Sequence, residues 1–169
     1  MMQKTKKITV SAVLAALVFV TTAYVLHVPV TGGGYIHIGD AIIYLAASLL
    51  PTGYAMAVGA VGAGLCDAMF APLYIIPTIL IKAILTLFFT SQGDRILCRR
   101  NVLAVLLAGI AGLLGYYLFD TFAAFDGDFI KAFWGTVPLG SIQPLASAGV
   151  YLVLGFALDK AGIKKRLFR

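Results

Sequence analysis

The feature that most constrains this chain is the stretch from Tyr35 to Phe89, where three apolar segments follow one another with almost no polar linker. Its only formal charges are Asp40, Asp67 and Lys82, with His37 titratable beside them. An ionised group at the middle of a membrane helix costs about 2.5–3.5 kcal/mol. Charges placed there therefore face a protein interior, where a partner or a ligand compensates them. The whole chain is of the same kind, being 61% hydrophobic and 12% charged, against roughly 25% charged in soluble domains. Its 169 residues suffice for a small bundle of membrane helices with no room for a soluble domain. The net charge of +6 would suit a nucleic acid, but Lys and Arg cluster at the chain ends and in one loop. That is the placement of cytoplasmic flanks, and no nucleic-acid partner is expected.

A membrane-spanning helix takes about 20 mostly apolar residues. On that template the chain reads as an all-α integral membrane protein, a six-helix bundle forming one transmembrane domain over residues 1–169. The spans fall at about 8–28, 38–50, 53–71, 72–91, 102–124 and 137–158. The apolar run after the N-terminal K-T-K-K is too long for a signal-peptide core and lacks a small-residue cleavage site, so it reads as a retained first helix. Pro51-Thr52-Gly53 is a turn signal and Pro72 opens the fourth span. Pro77, read as mid-helix, should free a carbonyl and kink that span. Lys4, Lys6 and Lys7, then Arg95, Arg99 and Arg100, then Lys160, Lys164, Lys165, Arg166 and Arg169 all fall on one side of six helices. The opposite side holds only Lys131, so both termini are expected in the cytoplasm. Cys66 and Cys98 then lie on opposite sides as unpaired thiols.

Residues four apart share a helix face. Helix 4 carries Tyr74, Thr78, Lys82 and Thr86 at that spacing, a phenol, two hydroxyls and an ammonium on one stripe. Lys82 lies about ten residues from the end of its span, roughly 15 Å deep. It reads either as a ligand anchor or as a structural partner of Asp40 or Asp67. Ala55, Gly59, Ala63 and Asp67 on helix 3, and Ala104, Ala108, Gly112, Tyr116 and Asp120 on helix 5, are small-residue stripes ending in an acid. Gln143, near the start of helix 6, reads as a partner for a polar solute or for a neighbouring helix. Two outer loops are expected. Pro29–Gly34 (PVTGGG) is either a connector or a lid. Asp126–Val137 carries Trp134, which either anchors at the interface or stacks on a ligand. On helix 1, Ala12 and Ala16 with Ala15 beside them form a small-residue face, suited to close helix approach in lipid.

The order Gly39-Asp40 at a helix start, Asp67 at a later helix end, then Y-x-x-P-T-x-x-x-K over Tyr74–Lys82 resembles a known family. It is that of the S components, the substrate-binding membrane subunits of energy-coupling factor (ECF) vitamin transporters. The resemblance is nearest to the branch with riboflavin- and hydroxymethylpyrimidine-type members. It covers nearly the whole chain, is most specific over residues 35–89, and is only general for helices 5 and 6. It implies a solute pocket in the outer half of the bundle, a partner transmembrane subunit and two cytoplasmic ATPases. The same resemblance implies that A-x-x-x-A on helix 1, here Ala12–Ala16, docks that subunit. The localisation implied is the plasma membrane of a bacterial-type cell.

Combining residues and resemblance, the expected substrate-binding set is Tyr35, His37, Asp40, Tyr74, Thr78, Lys82, Asp120, Trp134 and Gln143. Aromatic residues toward the outer side suit a flat heterocycle such as hydroxymethylpyrimidine, a pyridoxine-like ring or riboflavin. No P-loop, zinc-protease or hydrolase motif occurs, and two histidines are too few to propose a metal. No cofactor and no catalytic residue are expected. Two rival classes stay open: a solitary small-solute transporter, and an intramembrane enzyme using Asp40, Asp67 or Asp120.

Overall fold

The computed structural model describes residues 4–25, 27–29 and 35–168. The described residues are 82% helical, the form that pairs backbone N–H and C=O groups within the segment, away from water. Helix α1 (Lys4–Val20) continues as one π-helical turn, Thr21–Val25, into a minimal hairpin of β1 (Val28–Pro29) and β2 (Tyr35–Ile36). These strands pair antiparallel, Val28 opposite Ile36. Helices α2 (Asp40–Leu49), α3 (Thr52–Phe70) and α4 (Ile75–Leu85) follow, with short 3-10 turns at Pro72–Tyr74 and Thr86–Phe88 flanking α4. Then come α5 (Arg99–Ala123), α6 (Phe129–Gly140), α7 (Ile142–Lys160) and the short α8 (Ile163–Phe168). Among the described residues four helical stretches are long and apolar enough to cross a membrane: 4–25, 52–70, 99–123 and 129–160. Two shorter apolar ones, 40–49 and 72–88, lie among them.

Prolines set the breaks. Leu50, preceding Pro51, is held extended at φ −107°, ψ 152°, which stops α2. The same logic ends α3 at Ala71 before Pro72. Pro77 does not kink a long helix as expected. It is the third residue of α4, where its missing N–H is one of the donors a helix start leaves unbonded anyway, and the irregular turn lies ahead of it.

A second departure concerns the expected outer loop 126–137. Asp126 and Gly127 turn the chain with positive φ (50° and 83°). Asp128 then caps α6, accepting from the N–H groups of Ile130 and Lys131. Most of the expected loop is therefore helix, and the expected span 137–158 is α7 joined to α6 by a break at Ser141. The D-G-D triplet reads as loop, but its last Asp is also a strong helix start.

The core is built around α2. All of its residues except Ile42 are buried, including Asp40 and Ser48, with α1, α3 and α7 packed against it. Helices α1 and α3 approach closely at Gly62, where a Cβ would stand 2.7 Å from both the Ala15 carbonyl oxygen and the Val18 Cβ. Helix 1 thus uses Ala15 and Val18 inside the molecule and turns Ala12 and Ala16 outward.

Candidate binding site

The polar stripes of α3, α4 and α5 converge with the start of α2 and the α6–α7 joint on one cavity, which holds about 120 Å³ of water-accessible space. It lies at the hairpin end of the bundle. Tyr35 and Ile36 of β2 line its upper wall, and Leu85, Ala108 and Gly109 lie farther along their helices toward the basic end. Eight of the nine expected residues line it: Tyr35, His37, Asp40, Tyr74, Thr78, Lys82, Asp120 and Gln143.

Lys82 Nζ stands 2.7 Å from Asp40 Oδ1, and both side chains are almost fully buried. Asp40, not Asp67, is therefore the partner of the deep lysine. Its second oxygen accepts from Gln143 Nε2 at 2.9 Å, and Gln143 Oε1 accepts from the His37 backbone N–H at 3.3 Å. Gln143 thus ties α7 to the start of α2. The chain enters α2 through Gly39, whose N–H donates to His37 Nδ1 at 3.0 Å. A Cβ there would clash with the Thr22 side chain, which makes the glycine of the G-D pair a steric requirement. Buried ion pairs of this kind persist only when further hydrogen bonds complete them, and Gln143 supplies one.

The other two acids are engaged separately. Asp67 accepts from the Tyr35 hydroxyl. Asp120 accepts from the Tyr74 hydroxyl at 2.9 Å and from Thr136 Oγ1 at 2.8 Å. Thr78 Oγ1 and the Tyr116 hydroxyl lie 2.9 Å apart, and the Tyr116 ring centroid is 5.2 Å from Lys82 Nζ. The hairpin is fixed above the cavity by His27, stacked on Tyr35 at 4.1 Å and packed on Phe70 at 5.0 Å. The glycine-rich segment 30–34 considered as a lid lies outside the described residues.

Trp134 is the exception. It is 71% exposed on α6, edge-on to Phe133 at 5.4 Å, while Gly135 and Thr136 next to it line the cavity. One residue along a helix is a rotation of about 100°, so presenting Gly135 inward turns the indole out. The polar cavity-lining residues missed from the expected set are Tyr44, Asp67, Tyr116 and Thr136. Asp67 and Tyr116 lie on stripes visible in the sequence. Tyr44 sits one turn after Asp40, a spacing that pointed to it, whereas Thr136 lay in what read as loop.

A family model described as ECF-type riboflavin transporter, S component, matches residues 2–160. The chain belongs to that family. Comparisons with curated proteins and with solved structures give no match. As an S component it is a multi-pass plasma-membrane protein, the vitamin-binding subunit of an ECF importer. S components associate with a membrane subunit and ATPases, the ECF module. That division of labour accounts for a chain with a polar-lined cavity and no nucleotide-binding motif of its own.

Proposed function

We propose that this S component captures a flat, polar heterocycle in the cavity below the hairpin, with Tyr35, His37, Asp40, Tyr74, Thr78, Lys82, Asp120 and Gln143 around it. The observation that carries this reading is the Asp40–Lys82 pair, buried beside a cavity that also holds aromatic walls. Ion pairs kept at such depth mark substrate pathways more often than they mark stability. The family's name points to riboflavin. The cavity's water-accessible space, about 120 Å³ against about 150 Å³ in an apolar cavity that binds benzene, is nearer to a single ring, hydroxymethylpyrimidine-like or pyridoxine-like, than to a three-ring flavin. Either ligand requires the walls to part, a flavin much the more. The acids serve recognition rather than catalysis, because each is held by a different donor set.

The same reading places six crossing segments in one transmembrane domain over residues 1–169, with both termini and Cys98 in the cytoplasm. It also assigns the outward Ala12–Ala16 stripe to docking on the partner membrane subunit. Thermal-shift measurement on the purified protein against water-soluble vitamins and their precursors tests the ligand class. A compound at 100 times its Kd adds about 2.7 kcal/mol of stability. No shift with any heterocyclic vitamin sinks the proposal. With Cys66 replaced, labelling of Cys98 by an impermeant maleimide on intact cells would reverse the topology. Ala16→Trp should abolish uptake while leaving ligand binding intact. Equal loss of binding would make the stripe internal packing.

A further inference from the structure

The hydrogen-bonding groups along the cavity are not mixed at random. Toward the hairpin, the acceptors Asp67 and Asp120 are already engaged by Tyr35, Tyr74 and Thr136. Deeper, two donors have unused capacity, beside Asp40, whose Oδ1 is met only by its ion pair with Lys82. Lys82 Nζ carries three N–H bonds, and beyond its ion pair with Asp40 it has no hydrogen-bond partner among the described residues. Tyr44, one helical turn after Asp40, lines the same cavity, and its hydroxyl is buried with no hydrogen-bond partner among the described residues. Its ring is fixed from behind, stacked on Phe89 at 5.1 Å and edge-on to Tyr151 at 6.0 Å. A buried hydroxyl without a partner is costly, so a phenol held rigidly in that state at a ligand cavity calls for an acceptor that arrives with the ligand.

We infer that Tyr44 is a specificity-determining residue which, together with Lys82, recognises hydrogen-bond acceptors on the leading, buried edge of the substrate. This rests on the proposed capture of a heterocycle in this cavity and adds its orientation. A ring nitrogen or carbonyl points toward Tyr44 and Lys82, and the ring's donor or hydroxymethyl substituents face Asp120 and the hairpin. The ligand class is thereby narrowed to heteroaromatic rings with an acceptor edge. A carbocyclic ring of the same size and substitution is disfavoured.

The test uses full-length protein in detergent or nanodiscs, with three probes: 4-amino-5-hydroxymethyl-2-methylpyrimidine, pyridoxine and riboflavin. Tyr44→Phe removes only the hydroxyl. Its ligand-free melting temperature should equal or exceed that of the wild type, because an unpaired buried group is lost. Its affinity for whichever probe the wild type binds should fall by about three- to tenfold. Replacing a ring nitrogen of that probe by C–H should weaken wild-type binding by a similar factor, and the penalty should shrink in Tyr44→Phe. A lower ligand-free melting temperature assigns Tyr44 to packing and overturns the inference, as does unchanged affinity. If the wild type binds none of the probes and no other heterocyclic vitamin, the ligand reading fails and this inference fails with it.

Discussion

The two ends of the bundle handle buried polarity in opposite ways. At the basic end, side chains close the backbone of the segment joining α4 to α5. Asn101 pairs with the N–H and C=O of Thr90, at 2.8 and 2.9 Å, and donates to the Ile96 carbonyl at 2.9 Å. The Asp159 carboxylate accepts from the N–H groups of Ile96 and Leu97, and Lys164 donates to the Arg95 carbonyl. Here polar side chains serve the fold. At the hairpin end, polar side chains meet one another across helices around a cavity, and two of the deepest donors keep unused capacity. The difference teaches where to look for function: polarity that completes backbone hydrogen bonds fixes structure, whereas polarity left incomplete beside a cavity marks the candidate site.

The largest effect expected on this contrast comes from Asp40→Asn. It leaves the Lys82 ammonium buried without its counter-charge, a loss of about 3–5 kcal/mol. A marked drop in melting temperature of the ligand-free protein should appear, and the double variant Asp40→Asn/Lys82→Met should recover most of it. The double variant should nevertheless bind ligand tenfold or more weakly, for want of the charged donor. Recovered stability together with wild-type affinity would remove Lys82 from the site.

A smaller effect is expected at the other end. Asn101→Ala strips partners from the backbone of Thr90 and Ile96 and should cost about 1–3 kcal/mol. Ligand affinity should stay within twofold of wild type, since sites this far apart act independently. Affinity falling in step with stability would mean that the two ends are coupled. The smallest effect is expected from Trp134→Ala. The exposed indole faces away from the cavity, so affinity should not change, and calorimetric titration showing more than a threefold loss would return Trp134 to the site.

Much of the candidate site was legible because helical periodicity is local. Tyr74, Thr78 and Lys82 share a face in any helix, and so do Ala108, Gly112, Tyr116 and Asp120. Gly39-Asp40 marked a helix start, and the structure adds the reason, the Thr22 side chain against Gly39. The readings that failed depended on where a helix begins or how it is rotated. Trp134 was placed by its loop-like surroundings, and the cap at Asp128 turned that loop into α6. Pro77 looked central only because the 3-10 turn at Pro72–Tyr74 merges with the helix in an apolar profile.

The sequence by itself determined an all-helical membrane protein, because an apolar chain in lipid has few other ways to satisfy its backbone. It also determined which side chains on each helix could meet a solute, because 3.6 residues per turn fix faces without reference to neighbours. Only the tertiary structure decided which acid Lys82 pairs with, and that Tyr44 lines the same cavity with its hydroxyl unmet among the described residues. Those outcomes depend on how α2, α3 and α4 are rotated and spaced against one another. Such distances are set by side-chain packing across helices far apart in the chain, which no local pattern encodes.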